Sequence, residues 1–96
     1  MYYIDIKRAT VKQSDFDYII VAAEQAEPET VMRIAYDNWE KANSIFEKYK
    51  STCAVESKDE FVSIQYIELV DNNTDEDGFS YETTVDSFYP EAVSFI

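Results

Sequence analysis

Every lysine and arginine of this chain lies in its first 58 residues. The remaining 38, from Asp59 onward, hold ten aspartates and glutamates and nothing basic. With a net charge of −12 over 96 residues, the compact state must be held against its own repulsion, because like charges in one small volume oppose folding. The chain has the means to fold. Its apolar share of 46% and aromatic share of 16% are far above those of a solvated acidic tail, and its length suits one domain, residues 1–96, with a single modest core.

The apolar periodicity places the elements. "YYIDIKRATV" (2–11) alternates, with Tyr2, Ile4 and Ile6 facing one way and Tyr3, Asp5 and Lys7 the other, the period of a half-buried strand. After a polar turn at 12–15, "FDYIIVAA" (16–23) reads as a central strand in a hairpin with the first. Residues 28–50 carry a helical signal: Pro28 suits the first turn, and Val31, Ala35, Trp39, Ala42, Phe46 and Tyr49 recur at steps of four and three. Trp39 falls on that stripe and is expected in the core. "STCAVESKDE" (51–60) reads as a polar connector, "FVSIQYIELV" (61–70) as a third strand and "FSYETTVD" (79–86) as a fourth. The tail after Pro90, ending in "AVSFI", suits a short turn docked on the core. The expected fold is α+β in two layers, of order ββαββ: an antiparallel sheet of about four strands packed on one long helix.

Between the last two strands stands "DNNTDEDGFSYE" (71–82), ahead of which the chain has no glycine. With Gly78 at the sixth position of a calcium loop, Asn73, Asp75 and Asp77 fall on the ligand positions 1, 3 and 5. The twelfth, which needs a bidentate glutamate, is Thr84. A hairpin turn explains the same residues better, since Asp77-Gly78 between two strand patterns supplies the positive φ such turns require. No metal site is expected here.

Catalysis lacks its usual parts. The absence of histidine removes the commonest general base and metal ligand, and one glycine cannot build a phosphate-binding loop. The lone Cys53 follows the helix signal, where the dipole disfavours a thiolate. No enzymatic activity and no cofactor are expected. A single cysteine, no membrane-length apolar run and no signal-peptide layout in "MYYIDIKRAT" suit the cytoplasm. The charge disfavours direct contact with nucleic acid or an anionic membrane.

In its size, its lack of histidine and disulfides, and its basic-free block "DEFVSIQYIELVDNNTDEDGFSYETTVDSFYPE", the chain resembles the small acidic inhibitors encoded by phages and mobile elements, among them anti-CRISPR proteins and other DNA mimics. The resemblance is one of character and covers the C-terminal 38 residues best. It implies a bacterial host cell and a partner with a basic groove for nucleic acid, such as a CRISPR-associated nuclease, blocked by the acidic half. The expected partner-binding residues are Asp71, Asp75, Glu76, Asp77, Tyr81, Glu82 and Asp86. In a regular strand Glu82 and Asp86 would share a face, about 13.6 Å apart. Two other readings compete: a small phage or host accessory module for protein–protein interaction, solubilised by its charge, and a calcium-responsive binder.

Overall fold

The computed structural model of the chain describes residues 1–12 and 27–90. Among them run the strands β1 (Tyr2–Lys12) and β2 (Glu29–Tyr36), the helix α1 (Trp39–Tyr49), and then β3 (Ala54–Lys58), β4 (Phe61–Thr74) and β5 (Ser80–Phe88). The expected strand at 16–23 and the tail at 91–96 lie outside the described residues.

All the pairing is antiparallel, in the order β2-β1-β4-β3, with β5 also on β4. β1 and β4 form the spine, in unbroken register from Tyr2 opposite Asp71 to Lys12 opposite Phe61. β3 and β5 share the other edge of β4, β3 against Phe61–Gln65 and β5 against Ile67–Thr74. The spine follows from its sequence: β-branched and aromatic residues at alternate positions suit a pleated, half-buried surface.

The spine buries opposite faces at its two ends. Ile4 and Ile6 of β1 and Ile67 and Leu69 of β4 pack under Ala42 and Phe46 of α1. At the far end the odd-numbered Val11 joins Val62, Ile64 and Tyr66 on the other face, where Tyr89 stacks on Tyr66 at 4.6 Å between centroids. An 11-residue helix is only about 16 Å long, so it covers one end of an 11-residue strand and no more.

Several expectations about the fold are overturned. Over the described residues the molecule is mainly β, a curled antiparallel sheet with one short helix, and not a two-layer α+β sheet packed on a helix spanning 28–50. Residues 29–36 satisfy both periods, and the tertiary partner decides between them. Thr30, Val31 and Ile34 are β-branched, and the open edge of β1 offers seven cross-strand partners, from Tyr2 opposite Tyr36 to Arg8 opposite Glu29. The helix starts only after Asn38, whose side chain caps it by accepting from the Lys41 N–H at 3.0 Å. Trp39 is therefore the first residue of α1, 42% exposed and edge-on to Tyr2 at 5.4 Å, while Phe46 is the fully buried aromatic of the helix. The expected connector at 51–60 contains β3, turned back onto β4 at Asp59-Glu60, with Asp59 at φ 58°.

Candidate functional site

β4 outruns the sheet. Its pairing with β1 ends at Asp71, and the Asn72 N–H makes one last bond to the Met1 carbonyl at 2.9 Å. From there to the turn, β4 and β5 pair with each other alone among the described residues, through Asn73–Tyr81 and Thr74–Ser80. The result is a two-stranded ribbon projecting from one corner of the sheet.

Its turn is built by Asp75. One carboxylate oxygen accepts from the N–H groups of Asp77 (3.0 Å) and Phe79 (2.8 Å), and the Asp75 carbonyl accepts from Gly78 at 3.1 Å. Gly78 sits at φ 87°, where a side chain would be strained. The segment is a hairpin turn between strands, with Asp75 aimed at backbone donors, and among the described residues no group of acidic or cysteine side chains is placed to hold a metal ion. Glu76 and Asp77 are exposed at the apex. Beside them Phe79 is 72% exposed and Tyr81 50%, an unusual placement for large rings in a small domain.

A bulge changes which way the other carboxylates point. Val70 lies opposite Thr84, but Leu69 lies opposite Asp86, leaving Val85 as the extra residue. The alternation flips there. Glu82, opposite Asn72, shares the face of Tyr3 and Asp5, whereas Asp86, opposite Leu69, points to the helix side and accepts a bond from the Ser87 N–H at 2.8 Å. The two do not line one face as a regular strand would have them. Asp71 is half-buried between Tyr2 and Thr83 on the helix side.

Glu82 has a partner that the sequence pattern did not reveal. Arg33 of β2 donates to both its oxygens, from Nη1 at 2.9 Å and Nη2 at 2.8 Å. The same guanidinium grips Asp5 of β1 from the side, Nε at 2.6 Å and Nη2 at 2.8 Å, and lies over the Tyr3 ring at 4.5 Å. Asp5, 2% exposed, is the one buried charged residue among those described. Its carboxylate is tolerable in that position because it is paired and doubly hydrogen-bonded. The bonds from Asp5 first, then from Glu82, hold Arg33 charged well above its ordinary range. Arg33 in turn holds the Glu82 carboxyl below its own. In a flat sheet β2 and β5 would stand about 14 Å apart with β1 and β4 between them, so a direct contact requires the curl. Lys7 and Glu68, at 3.8 Å, flank the pair on the same face.

The sequence does carry a faint trace of this cluster. Arg33 is the only basic residue between Lys12 and Lys41, and Asp5 interrupts an otherwise apolar strand start. Cys53 is half-buried against the Tyr49 and Phe88 carbonyls, and desolvation pushes its thiol up to about 11. That leaves little thiolate at neutral pH.

No family model, no curated protein and no solved structure matches this chain. Among the described residues no helix is long and apolar enough to cross a membrane.

Proposed function

We propose that the chain is a non-enzymatic protein inhibitor whose acidic ribbon enters a basic, nucleic-acid-binding groove on a defence nuclease and excludes the substrate. The observation that carries this reading is the ribbon itself: a projection beyond the sheet with Glu76 and Asp77 at its apex, Phe79 and Tyr81 exposed beside them, and no basic residue on either strand. At its base Glu82 and Asp71 face opposite sides, so negative charge lies on both faces of the ribbon as well as at its apex. That arrangement suits insertion between two cationic walls better than a flat imitation of a duplex edge. Charge supplies long-range attraction and the rings supply desolvated contact.

The exposure of Phe79 favours a second reading, a protein-interaction module whose contacts are mainly apolar and whose charge serves solubility. Salt separates the two, because attraction between exposed charges is screened beyond ~8 Å at physiological ionic strength. Purified RNA-guided nucleases should lose substrate binding when the protein is added first, and the onset should slow as salt rises. Reversing Glu76 and Asp77 to Lys should weaken inhibition by about tenfold or more, with Asp75 retained because its side chain forms the turn. Glu40→Lys, on the helix, should leave inhibition intact. An unchanged double reversal would overturn the electrostatic reading, and nucleases that bind their substrates undisturbed would overturn the function.

A further inference from the structure

The Arg33 cluster joins two elements that the backbone leaves separate. β2 and β5 share no backbone pairing, yet Arg33 on one is bonded end-on to Glu82 on the other at 2.8 and 2.9 Å. Glu82 lies on the ribbon side of the Val85 bulge, opposite Asn72, the last residue of β4 tied to the N-terminal strand. A bulge is a place where a strand bends and its ladder is interrupted, so the ribbon meets the sheet at a weak point and is braced by a side chain just beyond it.

We propose that Glu82 is a latch carboxylate: in the free protein it is occupied by Arg33, which holds the ribbon against the sheet, and on binding an arginine of the partner takes Arg33's place and frees the ribbon to follow the groove. The inference rests on the reading of the ribbon as the binding element and names the chemistry that it recognises, a guanidinium presented end-on. The intramolecular pair already shows that Glu82 accepts such a fork on both oxygens. Exchange leaves nothing stranded, because Arg33 keeps its side-on pair with Asp5 and its seat on Tyr3. Glu82 is 45% exposed in its side chain where Asp5 is 3% exposed, so a partner reaches the first and not the second. A lysine would not substitute equally, since an ammonium cannot make the paired, planar contact.

Two measurements on the whole chain test this. Glu82→Gln removes the charge and one of the two acceptor oxygens of the latch, and turns a donor toward the guanidinium, while sparing the buried Asp5–Arg33 pair. In ¹⁵N relaxation the amides of residues 73–81 should become markedly more mobile, with those of Ile4, Ile67 and Leu69 unchanged and the melting temperature close to that of the parent. A ribbon equally rigid in the variant would overturn the latch. The second measurement titrates the parent protein with a hexa-arginine peptide at low salt while following the arginine side-chain resonances, of which the chain has only two, Arg8 and Arg33. The Arg33 signals should move together with the amides of Glu82, Glu76 and Asp77, and hexa-lysine should move Arg33 several-fold less. Peptide binding at Glu76 and Asp77 with Arg33 unmoved would overturn the exchange and leave the acidic ribbon as the binding element. No binding of either peptide at the ribbon would overturn the ribbon reading and the exchange with it, while the relaxation of Glu82→Gln would still decide whether Arg33 braces the ribbon.

Discussion

At the level of single residues, Arg33 contributes most to holding the described fold's polar parts together. Its removal would leave Asp5 buried and unpaired, which is far more damaging than losing a surface pair. Breaking a buried pair in this way costs 3–5 kcal/mol in general. Arg33 is 37% exposed, so water reaches the pair and the lower end applies. Arg33→Ala should therefore lose about 3 kcal/mol in urea unfolding at neutral pH. The loss should also depend on pH in a defined direction. The Arg33 hydrogen bonds, ahead of the charges of Arg33 and Lys7, hold the Glu82 carboxyl below its ordinary 4.5. Stability from a carboxyl held low is complete above its unfolded value and is lost as pH falls through the folded one. The charged groups around Glu82 on this face are Asp5 and Lys7 from β1, Arg33 from β2 and Glu68 from β4. The deficit of Arg33→Ala should thus begin to shrink as pH drops below about 4.5 and reach its smallest value once the pH has passed below the lowered folded value of Glu82, where parent and variant both hold it protonated. A deficit independent of pH would show that the Arg33–Glu82 bond adds nothing to stability.

At the level of elements, what the sequence made legible depended on how local the deciding interaction was. β1, β4, β5 and the turn at Gly78 were readable because alternation and the Asp-Gly dipeptide are written within each segment. Residues 29–36 were misread because Val31 and Ala35 fit a helical stripe and a strand equally well. The open edge of β1, which settles the matter, lies 28 residues away at Asp5 opposite Arg33. β3 was missed for a related reason: "AVESK" is too short and polar to announce a strand, and its turn uses Asp59 at positive φ where glycine is the usual sign. The shortened helix moves the weight of α1 from Trp39 to Phe46. Phe46→Ala should cost about 3–5 kcal/mol, as expected for a fully enclosed ring. Trp39→Ala should cost about 1 kcal/mol, the scale of one edge-on aromatic contact at a wet site. Equal losses in a thermal melt would show that the first turn of α1 is packed as tightly as its middle.

At the level of the whole molecule, the acidic ribbon was legible as charge and illegible as geometry. The block free of lysine and arginine is plain in the chain, but the bulge that turns Glu82 and Asp86 apart and the cation that holds Glu82 appear only once four strands are side by side. Two electrostatic effects then compete in the fold, and salt decides which is larger. Among the described residues the attractive pairs that salt can reach are few: Lys12–Glu60 at 3.5 Å, Lys50–Glu47 at 3.0 Å, Arg33–Glu82 at 2.8 Å and, partly, Lys7–Glu68. Pairs of this kind contribute about 0–1 kcal/mol each. The pair that contributes more, Arg33–Asp5, is sheltered on the Asp5 side and is screened much less. Against them stands the repulsion of a net charge of −12, spread over exposed carboxylates that screening weakens most. Raising sodium chloride from 0.02 to 0.5 M, which shortens the screening length from about 20 Å to about 4 Å, should therefore raise the melting temperature by several degrees. Arg33→Ala should show a slightly larger rise from a lower starting point, since it loses the sheltered Asp5 pair, which salt leaves alone, and the exposed Glu82 pair, which salt weakens. A melting temperature that falls with salt would mean that the exposed ion pairs outweigh the repulsion, and that the acidic block is balanced within the fold rather than left open for a cationic partner.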